Sequence, residues 1–291
     1  MNEKKENTQH KNSMFVDLFY EDESAEENDI ALYNALHQEP LPEGTHIVRF
    51  RVDNVLYMNF KNDVSFGVPG KILVFAEHQS TINYNMPLRS LMYVGRAYEQ
   101  IVKVKDRYKK ALVKLPTPEF YTFYNGSEVF DKEKILCLSD AFQTKEEEPG
   151  LELKVKVINI NPSQNHEILK RCPILKEYGM FVDMVRTYQD KGEPDAIEQA
   201  IYTCIDQGVL VEYLRRKGSQ VNNMLVAEYD YDLDIQVQRE EAKEEGKAEG
   251  KAEAILELLE ELDVVPEELK SEILNQPELA VLKRWLKLAA K

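Results

Sequence analysis

The chain has 291 residues, of which 43% are hydrophobic and 31% charged, enough for one large domain or two small ones. No apolar stretch approaches the roughly 20 residues that span a bilayer. The polar residues 1–13 lack the apolar core of a secretory signal. Three widely spaced cysteines, Cys137, Cys172 and Cys204, favour reduced thiols in a cytoplasmic protein over a disulfide or zinc framework.

The first predicted elements alternate between helix and strand. Residues 1–13 are predicted to be a disordered tail, and residues 24–37, which begin with a capping-type serine, to form a helix. β-Branched and aromatic residues predict strands, and a helix over residues 86–102 lies among them. The predicted strands cover residues 46–57, 62–67, 72–76, 119–124 and 151–160. This pattern predicts an α/β core with a mixed sheet over residues 14–165.

From residue 166 onward the sequence predicts helices only. Residues 166–189 and 193–216 are amphipathic, with breaks predicted around residues 191–192 and at Gly218. We divide this half into a helical region, 166–235, and a C-terminal segment, 236–291. The C-terminal segment opens with a low-complexity connector and ends with two amphipathic helices, 255–262 and 267–288.

The two C-terminal helices need a partner, because isolated helices below about 12–15 residues are marginal in water. Their apolar faces can pack on the rest of the chain, on each other or on a second copy. A stripe of small residues in the connector would permit close helix approach, and it comprises Ala242, Gly246, Gly250 and Ala254. A homo-oligomer through these helices is therefore one expected assembly.

The net charge of −15 is unlike the basic balance that nucleic-acid-binding proteins usually have. The charge is unevenly distributed, however. Cations dominate between Arg89 and Lys114, where Glu99 and Asp106 are the only acids. Such a stretch fits either an ordinary solvated helix and loop or a surface that contacts phosphates.

Two carboxylates stand at the ends of predicted neighbouring strands. Glu77 follows the apolar residues 72–76, and Asp63 lies at the start of the preceding strand. Because side chains alternate along a strand, Gln79 shares the face of Glu77, whereas His78 takes the opposite face and is expected to be structural. Paired carboxylates at this position can hold a divalent cation. The plainer alternative is a Glu77 that is neutralised by a neighbouring arginine or by backbone donors.

The residues Glu-His-Gln-Ser at 77–80, followed by Met-Pro-Leu-Arg at 86–89 and a helix, resemble the recombination-promoting nuclease (Rpn) group of PD-(D/E)XK nuclease family transposases. NSMFVDLFYEDES near the start and CPILKEYGMFVDMVR further on are similar to the same group, so the resemblance covers the chain to about residue 245. It implies a restriction-endonuclease-like core with helix, three strands, helix and strand in order. The implied activity is metal-dependent DNA endonuclease cleavage associated with mobile elements and recombination.

The resemblance also assigns roles to site residues. Asp63 and Glu77, with the backbone carbonyl of His78, would bind Mg²⁺ or Mn²⁺, which lowers the pKa of a bound water. Gln79 stands where lysine is usual in the wider superfamily. It can orient a water by hydrogen bonding, but it brings no charge and cannot act as a general base.

DNA is the partner that the resemblance implies, and Arg89 and Arg96 are candidate contacts to its phosphates. Arg89 is equally suited to an ion pair with an acid near the site. A carboxylate of the first helical region, Asp17 or Glu27, is a candidate assistant. A second function class stays open: a catalytically weak or inactive nuclease-fold protein that works as a binding or regulatory module, which the acidic charge favours.

Overall fold

The computed structural model describes residues 14–37, 40–50, 63–68, 72–261, 265–276 and 278–290, with the backbone alone for residues 228–242 and 245. The predicted tail, 1–13, and most of the predicted strand 46–57 lie outside these residues. Contacts divide the chain into two compact units, Met1–Leu225 and Val226–Lys291. Within the described residues, no helix joins the length and the apolar character that crossing a membrane requires.

A mixed sheet, six-stranded in the described part of the chain, forms the centre of the first unit. Its strands lie in the spatial order β1 (Val48–Arg49), β2 (Val64–Val68), β3 (Ile72–Gln79), β4 (Thr117–Tyr124), β6 (Lys154–Asn159) and β5 (Glu133–Cys137). β3, β4 and β6 run parallel, while β1, β2 and β5 pair antiparallel with their neighbours. The predicted α/β class with a mixed sheet is therefore confirmed.

Helices cover both faces of the sheet. One face packs on α1 (Met14–Val16) with the π-helical turn Asp17–Glu21, α2 (Ala25–Leu36), α4 (Glu167–Arg171), α5 (Pro173–Asp190), α6 (Ala196–Asp206) and the start of α7 (Val211–Glu260). The other face packs on α3 (Met86–Ile101). Short 3₁₀ segments occupy Val104–Tyr108, Leu138–Ala141 and Pro162–Gln164. Along the chain the order is α2, three strands, α3 and β4, and this is the predicted order.

Alternation along β3 sorts its side chains between these two layers. Its even-numbered residues up to Ala76 belong to the apolar cluster on the α5 side, and its odd-numbered residues up to Phe75 to the cluster on the α3 side. Removing such apolar surface from water contributes roughly 25 cal/mol per Å². Continued alternation directs Glu77 and Gln79 toward α3 and His78 toward α5.

Helix α5 approaches the sheet closely at Gly179. A Cβ atom at this position would lie 2.6 Å from the backbone oxygen of Ile160, which real side chains do not tolerate. Glycine therefore lets α5 lie directly against the chain that leaves β6.

The predicted continuous helix over residues 193–216 is wrong. The structure ends α6 at Asp206 and begins α7 at Val211. Between them, Gly208 and Leu210 have φ angles of 79° and 49°, which a right-handed helix excludes. The predicted break at Gly218 is also wrong, since this residue lies inside α7. One helical glycine costs only about 1 kcal/mol relative to alanine, which packing of the helix readily offsets.

The sequence does not predict β5. This strand is short and its outward residues, Glu133 and Ile135, are exposed, while Leu136 is buried. Among the described strands it pairs with β6, and it lies at the edge of the sheet. A short, charged edge strand lacks the continuous apolar run that identifies a central strand.

A buried group of charges joins the first helical turn to α7. Asp17 and Asp22 are 1% and 3% exposed. The Nζ atom of Lys217 lies 2.8 Å from Oδ2 of Asp17 and 2.9 Å from Oδ2 of Asp22, and the hydroxyl of Tyr213 donates to Asp17 at 2.7 Å. Burial opposes the charge of Lys217, but its hydrogen bonds to Asp17 and Asp22 prevail and raise the pKa of the ammonium group.

The second unit has an apolar cluster of its own. It is built from the C-terminal part of α7, α8 (Glu267–Leu274) and α9 (Leu279–Ala289). Ile255, Ile273 and Leu282 are buried together, with Trp285 packed against them. Of the partners expected for these helices, the structure shows their contact with each other, and the homo-oligomer stays a prediction. The predicted connector lies within α7.

Candidate active site

Asp63 and Glu77 face each other at the end of the β2–β3 pair. Val64 pairs with Ala76 in this antiparallel ladder, so the residue before Val64 lies across from the residue after Ala76. The backbone N–H of Asp63 donates to Oε1 of Glu77 at 3.3 Å, and Oδ2 of Asp63 accepts from the N–H of His78 at 2.7 Å. The structure thus brings together the two acidic residues that the sequence singles out.

Arg89 of α3 forms an ion pair with Glu77. Its Nη2 lies 3.0 Å from Oε2 of Glu77 and also donates to the hydroxyl of Tyr93 at 2.9 Å. Glu77 is 4% exposed, so an unpaired charge there would cost several kcal/mol. Burial alone would lower the pKa of the Arg89 guanidinium. The nearby Glu77 and Tyr93 have the larger effect, so the pKa is raised. Of the two roles expected for Arg89, the structure shows the ion pair.

Sequence reasoning did not single out Tyr93. This side chain is buried, and burial together with the charge of Glu77 raises the pKa of its hydroxyl, so it stays a neutral phenol. The available signal was its spacing, because a residue four positions after Arg89 lies on the same face of α3.

Gln79 has a different neighbour from Glu77. Its Nε2 atom lies 2.7 Å from Sδ of Met86, the first residue of α3. Gln79 therefore faces α3, on the side of Glu77, as the strand period predicts. A thioether is a weak acceptor, so this contact holds the amide loosely.

Thr122 lies beside Glu77 on β4, where the two residues are register partners. Phe120 and Tyr124 belong to the α3-side cluster, so the side chain of Thr122 lies on that side too. Thr122 is 1% exposed, and its Oγ1 has no hydrogen-bond partner within the described residues. It lines, with Gln79, a cavity of about 10 Å³, the size of one water. Sequence reasoning missed this hydroxyl.

His78 lies on the opposite face, among the residues of the α5 side. Its Nε2 atom is 2.9 Å from Oδ1 of Asn125 and 3.2 Å from the hydroxyl of Tyr178, and its ring stacks on Phe15. Burial lowers the pKa of His78 to about 4, against the hydrogen bond to Asn125. The imidazole is therefore neutral at neutral pH and serves packing, as predicted.

Asn125 and Arg186 complete this polar group, and neither was singled out from the sequence. Arg186 of α5 donates to the carbonyl of Asn125 and, at 3.3 Å, to its Oδ1. The N–H of Asn125 donates to the carbonyl of Gln79 at 3.1 Å. These bonds support the end of β3 from the face opposite Glu77. The position of Asn125 directly after β4 could have indicated a place near the end of β3, since parallel strands end at the same edge of a sheet. No sequence pattern indicated a role for Arg186.

Three other candidates lie elsewhere. Arg96 is further along α3 and pairs with Glu99 at 2.6 Å, in an exposed position. Asp17 belongs to the buried ion cluster with Lys217, on the α5 side of the sheet. Glu27 is exposed on α2, in that same layer. The described contacts of these residues thus give none of them a place beside Glu77.

The basic stretch is divided between the two ends of α3. Arg89 at its start reaches Glu77, whereas Lys103 and the cations after it follow its last residue, Ile101. At a rise of 1.5 Å per residue, Arg89 and Ile101 are about 18 Å apart. The start of β3 pairs with Thr117, soon after the last of these cations. Among the described residues of this stretch, Arg89 contacts the acidic pair, whereas Lys103 and the cations after it lie toward the opposite end of β3.

The carboxylates suit a hard cation in their chemistry. Within the described residues, no three His, Cys, Asp or Glu side chains gather as metal ligands would. Mg²⁺, however, is commonly bound by one or two carboxylates and keeps several waters. Asp63 and Glu77 supply the carboxylates, and the unsatisfied hydroxyl of Thr122 offers a partner to a water. The residues present therefore fit such an ion.

Comparison of the chain with protein-family models, with curated proteins and with solved structures finds no match. What the chain does is therefore inferred from the contacts of its own residues and from the motif resemblance.

Proposed function

We propose that this protein is a metal-dependent DNA endonuclease of the PD-(D/E)XK type, related to the Rpn transposase group and acting on DNA in recombination. The observation that carries the proposal is the placement of Asp63 directly across from Glu77. The order of α2, three strands, α3 and β4 agrees with the core of that class. Glu77, Gln79 and Arg89 lie on the face covered by α3, which supports this face as the reaction site.

Asp63 and Glu77 would hold Mg²⁺ or Mn²⁺, with the carbonyl of His78 as a further ligand. When bound, the ion supplies a water of lowered pKa and neutralises charge on the scissile phosphate. Gln79 would orient that water through its amide, and Thr122 would accept or donate a hydrogen bond to it. With the ion held by Glu77, the guanidinium of Arg89 would be available to a phosphate oxygen.

A second candidate function is a catalytically weak or inactive relative that acts as a binding or regulatory module. The ion pair of Arg89 with Glu77 favours it, because this arginine already neutralises the carboxylate without a metal ion. The net charge of −15 favours it as well. The two functions differ in whether divalent cations compete with Arg89 for Glu77.

Plasmid cleavage separates the two functions. Supercoiled DNA is incubated with the full chain in Mg²⁺, in Mn²⁺ and in EDTA. For the nuclease, the Asp63→Asn and Glu77→Gln variants lose cleavage at least about a hundredfold, because ligands that hold the ion are removed while the side-chain shapes are kept. Gln79→Ala cuts slowly but binds the ion.

Glu128→Gln is the matched control, since it removes an exposed carboxylate. It cleaves at the rate of the unaltered chain. Circular dichroism of each variant shows that the fold is retained. Equal cleavage by Glu77→Gln and Glu128→Gln would assign the activity to a contaminant, and absence of cleavage in every metal would favour the regulatory module.

A further inference from the structure

The loop after α3, residues 103–115, combines exposed apolar side chains with cations. Tyr108 is 84% exposed, Leu112 82% and Val104 65%. Six cations alternate with them: Lys103, Lys105, Arg107, Lys109, Lys110 and Lys114. A chain with a net charge of −15 therefore presents one segment of concentrated positive charge that leaves a tyrosine ring in water.

This basic loop is held at both ends. Arg107 donates to the carbonyls of Glu99 and Val102, which closes the last turn of α3. The hydroxyl of Tyr98 donates to the carbonyl of Pro116 at 2.7 Å and fixes the exit of the loop. The tip is therefore presented on a fixed base.

Most of the positive charge in the basic loop is uncompensated. Lys109 pairs with Asp106 at 2.6 Å, and Arg107 is committed to backbone carbonyls. The remaining lysines form no ion pair within the described residues, and they are Lys103, Lys105, Lys110 and Lys114. Clustered like charges repel one another, so this arrangement suits a polyanionic ligand.

We propose that the basic loop binds single-stranded nucleic acid, with lysines on the phosphates and the ring of Tyr108 stacked on an unpaired base. Base faces are accessible in a single strand but covered in a duplex, and an exposed aromatic ring between cations matches the single strand. This inference rests on the proposed function for its choice of polyanion.

The basic loop lies far from the carboxylate pair. Ile72 pairs with Thr117, just after the end of the loop, and Glu77 follows Ile72 by five steps along β3, which is about 17 Å at 3.3 Å per residue. The length of α3 gives the similar value of about 18 Å. The loop therefore acts as a remote anchor, spaced from the proposed site of cleavage by about 17 Å.

The test is fluorescence anisotropy of a labelled single-stranded oligonucleotide and of its duplex, with the full chain in EDTA so that nothing is cut. Tyr108→Ala weakens single-strand binding about tenfold and leaves duplex binding nearly unchanged. The triple variant Lys105→Gln, Lys110→Gln and Lys114→Gln weakens binding and lowers the salt-dependence slope by about 2. The matched control changes three exposed cations of α4, α5 and the turn after them, Arg171→Gln, Lys176→Gln and Lys191→Gln, and keeps the slope.

Glu77→Gln separates this inference from the proposed function. It retains single-strand binding if the anchor exists, whether or not the chain cleaves DNA. The anchor is overturned if the unaltered chain does not bind the single strand in EDTA, or if both triple variants weaken binding equally. Loop-dependent binding to vesicles of anionic lipid, with no binding to the oligonucleotide, would assign the basic loop to a membrane surface instead.

Discussion

The Nη2 atom of Arg89 and the Oε2 atom of Glu77 lie 3.0 Å apart, so a guanidinium already neutralises this buried carboxylate. In the proposed function, Arg89 and the metal ion are therefore competitors for one carboxylate.

Removal of Arg89 tests this competition. Arg89→Met leaves Glu77 buried without its partner, and we expect the free energy of unfolding to fall by about 3 kcal/mol in EDTA. Mg²⁺ restores much of this loss, because the ion then neutralises Glu77. Urea unfolding with and without Mg²⁺ measures both effects. Arg96→Met, at an exposed ion pair, changes stability by less than about 1 kcal/mol. An Arg89→Met protein that is indifferent to Mg²⁺ would argue against cation binding by the carboxylates.

Substitution of Thr122 tests whether its hydroxyl contributes to cleavage or to the stability of the fold. Its hydroxyl has no partner in the described part of the chain, so Thr122→Val keeps the shape and removes an unsatisfied polar group. We expect the free energy of unfolding to stay constant or to rise by about 1 kcal/mol, while cleavage slows. Thr203→Val is the control, because its hydroxyl bonds that of Tyr188 at 2.8 Å and its loss costs about 1 kcal/mol. A variant Thr122→Val with full cleavage would exclude the hydroxyl from the reaction.

Asp29 makes the stability of the fold depend on pH. It is fully buried on α2, neither carboxylate oxygen has a hydrogen-bond partner in the described residues, and burial raises its pKa to about 8. The folded chain therefore holds a proton that the unfolded chain releases near pH 4. Its stabilising contribution is complete below pH 4 and is lost as the pH rises from about 4 to about 8.

Asp29→Asn removes this proton uptake. We expect the variant to be more stable than the unaltered chain at pH 8, with the advantage shrinking toward pH 5, in urea unfolding at several pH values. His78 has the opposite effect, because its lowered pKa makes the free energy of unfolding rise between about pH 4 and pH 6.5. Both proteins contain His78, so its contribution cancels when their pH profiles are compared. Parallel pH profiles would contradict the protonated Asp29.

Substitution by alanine should change the stability of the fold in opposite directions at two helical glycines. At Gly179, a Cβ atom collides with the carbonyl of Ile160, so Gly179→Ala destabilises the fold by about 1–3 kcal/mol. At Gly95, which is exposed inside α3 with nothing within 4 Å, alanine stabilises by up to about 1 kcal/mol. Thermal unfolding of the two variants measures the difference. Equal responses would mean that α5 does not approach β6 as closely as described.

What the sequence could predict was local. The alternation in β3 predicted the faces of Glu77, His78 and Gln79 because strand period is a property of the backbone. The pairing that places Asp63 across from Glu77 depends on register, which spacing alone left open. Arg186 reaches Asn125 from 61 residues away, and no local pattern reports such a contact. The helix break predicted at Gly218 was wrong because packing overrides the low helix propensity of glycine.

The buried charges of Asp17 and Asp22 have a consequence for how the protein is made. Their ammonium partner, Lys217, lies 200 residues after Asp17 in the chain. At synthesis rates of about 5–20 residues per second, the first helical turn waits roughly 10–40 s before that ammonium group exists. Phe15 and Phe19 are both fully buried in the finished fold. During this interval they lack the part of the core that the start of α7 contributes. A segment made 200 residues before its ammonium partner is therefore among the last parts of this fold to be fixed in place, and it is where a nascent chain would need protection.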